Sequence, residues 1–124
     1  MEGYRKYRVL FEKLGASIIA ASVDSIDDTK RLAAGNCFPK REKEFGFTLC
    51  HSVTREISDT LGAYWEENNN FMQPAEFVIN CNLNKIISCT YSDGGLGRMN
   101  AGDAIGFLSG IEKKRDEFPH IWSW

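Results

Sequence analysis

Cys37, Cys50, Cys81 and Cys89 are the side chains of this chain best suited to redox or nucleophilic chemistry. A thiolate attacks peroxides and disulfides when a helix N-terminus or a neighbouring cation lowers its pKa. None of the four falls where a strand runs into a helix start, and no pair has the spacing of a Cys-x-x-Cys redox couple. Their ordinary reading is reduced thiols in a cytoplasmic protein. Zinc from Cys50, His51 and a distant cysteine lacks paired ligand spacing, so no metal is expected. A Cys50–His51 thiol–imidazole pair is disfavoured, because adjacent residues of a strand face opposite ways.

A second group has more to offer. Gln73, Pro74 and Glu76 stand at the entry to a strand, and Arg98 stands just ahead of the last helix. Pro there reads as a proline that begins the strand. Glu76 reads first as a solvated strand-face carboxylate. Arg98 can meet an anion beside the backbone N–H groups of a helix start. The adjoining Gly94-Gly95-Leu96-Gly97 lacks the Lys-Ser/Thr of a phosphate loop, and its glycines read as tight backbone geometry. Tyr64 and Trp65 read as loop packing.

The elements that must position these groups follow from spacing. Tyr4, Tyr7, Phe11 and Leu14 recur at helical intervals, so residues 2–14 form an amphipathic helix ended by Gly15. Ala16–Val23 is a short apolar run suited to a strand covered on both faces. Ser25 and Asp28 form a capping box opening a helix to Ala34. Cys37–Glu44 is loop, and Phe45–Cys50 a weak strand. Ser52 or Thr54 caps a helix closed by Gly62. Tyr64–Met72 is expected as loop. Glu76–Cys81 and Lys85–Tyr91 are strands joined through Asn82-Leu83-Asn84. Asn100 caps a final helix that carries Ala104, Ile105, Leu108 and Ile111 on one face and closes on Lys113, Lys114 and Arg115.

The 124 residues fit one domain: residues 1–117, followed by an aromatic tail at 118–124. Hydrophobic residues make up 43% and charged residues 26%, with a net charge of −2. Acidic and basic residues are interspersed, which argues against nucleic-acid binding. No apolar run approaches the ~20 residues of a membrane helix. The N-terminal residues carry no apolar leader core.

In this order the motifs resemble the peroxiredoxin-like redoxins, the alkyl hydroperoxide reductase and thiol-specific antioxidant (AhpC/TSA) family. The resemblance rests on Leu14-Gly-Ala-Ser-Ile-Ile-Ala-Ala-Ser-Val-Asp24, a strand ending in Ser-x-Asp. It rests also on Val53-Thr-Arg-Glu-Ile-Ser-Asp-Thr-Leu-Gly-Ala63, a short helix before glycine. Gln73-Pro-Ala-Glu-Phe-Val-Ile79 and the turn Tyr91-Ser-Asp-Gly-Gly-Leu-Gly-Arg98 complete it. It implies an α/β fold: a thioredoxin-like sheet flanked by helices. It also implies antioxidant or thiol oxidoreductase activity without metal or organic cofactor, with a peroxide substrate and a thiol reductant.

The family carries its reactive cysteine just before the first helix, which places it ahead of Met1. The chain is therefore expected to be N-terminally truncated, lacking the first core strand and the catalytic turn. None of its four cysteines inherits the catalytic role, and whether the chain is an enzyme stays open. Where the family has an arginine at the start of the Glu76–Ile79 strand, this chain has Pro74. By resemblance Pro74 is cis and borders the active-site rim with Gln73, Glu76 and Arg98. The alternative function is an inactive thioredoxin-like interaction module or truncated isoform.

The absent strand belongs between the Ser17–Val23 and Glu76–Ile79 strands. Each buried backbone group left unpaired costs roughly 1–3 kcal/mol, against a net domain stability of ~5–15 kcal/mol. Three remedies are open: direct pairing of the two strands, insertion of Phe45–Cys50, or a strand from a second chain. Exposed edges and apolar faces favour a homo-oligomer, with the aromatic tail available to cover such a face.

Overall fold

The computed structural model describes residues 2–35, 46–94 and 98–119. Cys37 with its loop, Gly95–Gly97 of the glycine turn, and residues 120–124 of the aromatic tail lie outside them.

Two short helices open the chain, α1 (Glu2–Lys6) and α2 (Arg8–Lys13). The sequence predicts one helix here; it divides at Tyr7, whose φ of −99° and ψ of 12° leave the helical range. The Leu10 N–H reaches back three residues to the Tyr7 carbonyl at 2.9 Å, a tightened turn. Gly15, at φ +68°, then reverses the chain into β1 (Ile19–Ala21).

Helix α3 (Ile26–Ala33) begins where expected: the Ser25 side chain accepts the Asp28 N–H. β2 (Thr48–Cys50) runs parallel to β1, Ile19 opposite Thr48 and Ala21 opposite Cys50. Helix α4 (Arg55–Leu61) is capped by Thr54, whose hydroxyl accepts the Ile57 N–H, and is closed by Gly62 at φ +69°. The stretch expected as loop instead holds a small antiparallel ladder, β3 (Trp65–Glu66) against β4 (Phe71–Met72). The Glu66 carboxylate closes its turn by accepting the N–H groups of Asn68 and Asn69, and the Arg55 guanidinium lies 5.9 Å from the Trp65 ring.

β5 (Ala75–Asn80) and β6 (Lys85–Tyr91) form an antiparallel hairpin with a register shift between Val78 and Ile79. Helix α5 (Ala101–Glu117) follows, its first turn capped by Asn100, which accepts the Asp103 N–H at 2.9 Å. The expected succession of two neighbouring antiparallel strands and a closing helix is present.

The sheet, however, is divided. Among the described residues β1 pairs only β2, β5 pairs only β6, and β3–β4 stands apart. Two of the three expected remedies for the absent strand are thereby overturned. β1 and β5 do not pair: no ladder joins them among the described residues. Residues 48–50 do not fill the space between them, because they are laddered to β1 as β2. The expectation that Ala16–Val23 is covered on both faces also fails: Ile19 is 69% exposed.

The core gathers beside this division. Phe11, Ala101 and Ala104 are buried, with Tyr4, Ile18, Met99 and Leu108 packed around them. Tyr4 and Phe11 stack at 5.6 Å between ring centroids. Helices α1, α2 and α5 thus hold the start of β1 and the approach to α5 in fixed relation.

Candidate functional site: the cleft between the half-sheets

Between β1 and the Gln73–Phe77 segment lies a cleft of about 860 Å³. Its walls are consecutive residues on both sides, Ala20–Asp24 and Gln73–Phe77. Successive side chains of a strand point to opposite faces. Ala20 and Ala21 of β1 and Ala75–Phe77 of β5 bring a strand to each wall. Tyr4 of α1, Phe71 and Met72 of β4, and Arg98–Ala101 at the head of α5 close the remaining sides.

All four rim residues singled out from the sequence line this cleft. Gln73 is buried, and its backbone N–H donates to the Tyr64 carbonyl at 2.8 Å. The Pro74 carbonyl accepts the Ser92 N–H at 3.0 Å, which ties the Gln73–Pro74 corner to the end of β6. Arg98 is exposed at the mouth. Glu76 differs from its expected solvated state: it is half-buried, and its carboxylate accepts the Met99 N–H. The reason is its register, which turns its side chain toward the loop entering α5.

Sequence reasoning missed Tyr4. Its hydroxyl donates to the Met99 carbonyl at 3.2 Å, so both backbone groups of Met99 are engaged at the cleft wall. Burial pushes the Tyr4 pKa up to about 12, helped by the negative charges of Glu76 and Asp103. In the sequence Tyr4 is one member of an apolar helical stripe, and nothing there marks its polar end.

Cys50, Cys81 and Cys89 are free and exposed. No cysteine lines the cleft among the described residues. Cys50 ends β2, Cys81 begins the hairpin turn, and Cys89 lies on β6 opposite Phe77. Among the described residues no cluster of His, Cys, Asp and Glu has a metal-binding arrangement, and no helix is long and apolar enough to cross a membrane.

No protein-family model and no curated protein matches the sequence. Solved structures do match. AhpC from Mycobacterium tuberculosis superposes with a TM-score of 0.71 over 90% of this chain, at 21% identity. The mitochondrial 2-Cys peroxiredoxin from Plasmodium falciparum superposes over 92%, with a TM-score of 0.71 and 24% identity. The reduced 2-Cys peroxiredoxin of Plasmodium vivax gives a TM-score of 0.72 over 90%, at 18% identity. This chain has the peroxiredoxin-like, thioredoxin-type fold. It spans 58%, 65% and 56% of those three solved chains respectively, so it corresponds to part of their architecture. The α/β class expected from the motifs is the one observed, with the sheet in separate halves.

Proposed function

We propose that this chain is the scaffold portion of a peroxiredoxin-like thiol oxidoreductase of antioxidant type, whose peroxidatic cysteine is not among its own four. In such chemistry a thiolate attacks the peroxide O–O bond. It becomes a sulfenic acid as water or an alcohol leaves, and a thiol reductant restores it. Gln73, Pro74, Glu76 and Arg98 would border that thiolate, and the Arg98 guanidinium would favour its charged form. The observation that carries the reading is the cleft itself: it has the peroxiredoxin-type fold around it and no cysteine in its described walls.

The same observation favours a second reading, a catalytically inactive thioredoxin-like interaction module. Residues 1–117 are its domain, and 118–124 an aromatic tail. A reducing, cytoplasmic setting suits the free Cys50, Cys81 and Cys89. Exposed Ile79 and Ile86, opposite one another near the hairpin turn, suit a homo-oligomer contact.

The test is the rate at which each of the four cysteines of the purified chain is oxidised by hydrogen peroxide, followed by mass spectrometry. The expected result is that none reacts faster than free cysteine. A cysteine that reacts orders of magnitude faster would place the reactive sulfur in this chain and overturn both readings.

A further inference from the structure

Asp93 is followed by Gly94, and no other Asp or Asn of the chain precedes a glycine. An aspartate so placed can react with its own backbone. The Gly94 nitrogen bonds to the Asp93 side-chain carboxyl carbon, and the amide proton leaves with the carboxyl hydroxyl as water. A five-membered succinimide results, and water reopens it on either side. Opening at the side-chain carbonyl restores aspartate. Opening at the main-chain carbonyl leaves isoaspartate, in which the main chain runs through the former side chain. No oxidant, reductant or other reactant is consumed. A Cβ on the following residue crowds the attacking nitrogen, and glycine has none.

The fold leaves this pair in the open. Asp93 is exposed, in the bend that follows β6. A Cβ built on Gly94 would meet nothing within 4 Å, so the ring has room to form. Asp27, Asp28, Asp59, Asp103 and Asp116 instead lie in helices α3, α4 and α5. There the next N–H is committed: Thr29 donates to the Ser25 carbonyl and Ala104 to that of Asn100.

One group opposes the reaction at Asp93. The Ser92 hydroxyl accepts the Gly94 N–H at 3.3 Å and donates to the Gly94 carbonyl at 2.8 Å. Ser92 is itself anchored, since its own N–H is donated to the Pro74 carbonyl at 3.0 Å. Attack requires the Gly94 nitrogen to swing toward the Asp93 carboxyl and give up its proton. A hydroxyl fixed to the hairpin holds that proton and both sides of Gly94.

We propose that Asp93–Gly94 is a site of spontaneous isoaspartate formation in this chain and that the Ser92 hydroxyl is its restraint. Conversion places an extra main-chain atom ahead of Arg98, between the Ser92–Pro74 and Met99–Glu76 bonds. The proposal is independent of the thiol chemistry above.

The full chain is incubated in heavy-oxygen water at mildly acidic pH, where part of the carboxyl is protonated and its hydroxyl can leave. Each ring opening adds one heavy oxygen, which peptide fragmentation locates while distinguishing isoaspartate from aspartate. Rates are read as the ratio of Asp93 to Asp59, which cancels general loosening of the fold. Asp93 should label ahead of Asp59 and accumulate isoaspartate. Ser92→Ala should raise the ratio roughly two- to tenfold, the factor a net hydrogen bond is worth. Ser92→Thr, which keeps the hydroxyl, should stay near the original ratio. In concentrated urea the original chain and Ser92→Ala should give the same ratio. Equal labelling of Asp93 and Asp59 in the folded chain would overturn the site. An unchanged ratio in Ser92→Ala would overturn the restraint, as would a Ser92→Thr ratio as high as that of Ser92→Ala or a difference that persists in urea.

Discussion

Met99 shows how little of this site depends on reactive side chains. Its N–H is held by the Glu76 carboxylate and its carbonyl by the Tyr4 hydroxyl, so two side chains fix one peptide at the cleft wall. The Tyr4 pKa is pushed up to about 12, first by burial and then by Glu76 and Asp103. A pKa raised in the folded state means that the folded protein holds its proton where the unfolded chain releases it. The contribution is complete below the ordinary tyrosine value near 10 and is lost as pH rises toward 12. In thermal melts the midpoint should therefore fall between pH 10 and pH 12 more steeply than in Tyr4→Phe, which has no phenol to ionise. Equal slopes would show that Tyr4 does not govern the alkaline limb. Gln73, Pro74, Glu76 and Arg98 were singled out in the sequence through the family resemblance, and all four line the cleft. The Tyr4–Met99 bond joins residues 95 positions apart, a separation that no local pattern encodes.

The elements were legible in proportion to how local their signals are. Ser25, Thr54 and Asn100 announce helix starts by residue type, and each accepts the N–H three residues ahead. Gly62 announces an end, and its φ of +69° explains why. Gly62→Ala should cost about 1–2 kcal/mol in urea unfolding, the penalty of a left-handed backbone for a residue with a Cβ. An unchanged midpoint would mean that the turn relaxes freely. The β3–β4 ladder was not legible because three consecutive asparagines read as loop. What closes it is the Glu66 carboxylate reaching two backbone N–H groups, together with Asn70 at φ +52°, a conformation Asn tolerates. The lengths of β1 and β2 were overestimated because an apolar run records burial potential, whereas a ladder extends only as far as its partner.

The whole molecule has a sparse interior for its length. Phe11, Ala63, Ala101 and Ala104 are the buried hydrophobic residues among those described, while Val9, Ile19, Tyr64, Ile79 and Ile86 are all more than half exposed. Phe11→Ala removes the only large side chain of that group and should cost about 3 kcal/mol or more. That is a sizeable share of a typical domain's stability, so the expected observation is a clearly lowered midpoint of unfolding in urea. The exposed apolar surface predicts association. Light scattering across a micromolar concentration series should show a mass above that of one chain, and a monodisperse monomer would contradict the oligomer reading.

A sheet parted along its length transmits no shear across the seam. Among the described residues the β1–β2 and β5–β6 ladders are joined by helix packing, with Glu76 of β5 held to the approach to α5, and not by main-chain bonds between them. The helix packing around Phe11 therefore sets the width of the seam. Whatever wedges into that seam would stiffen the entire body at a stroke. Its arrival should then register far away, as quieter motion at the distal end of α5 and in the β5–β6 turn.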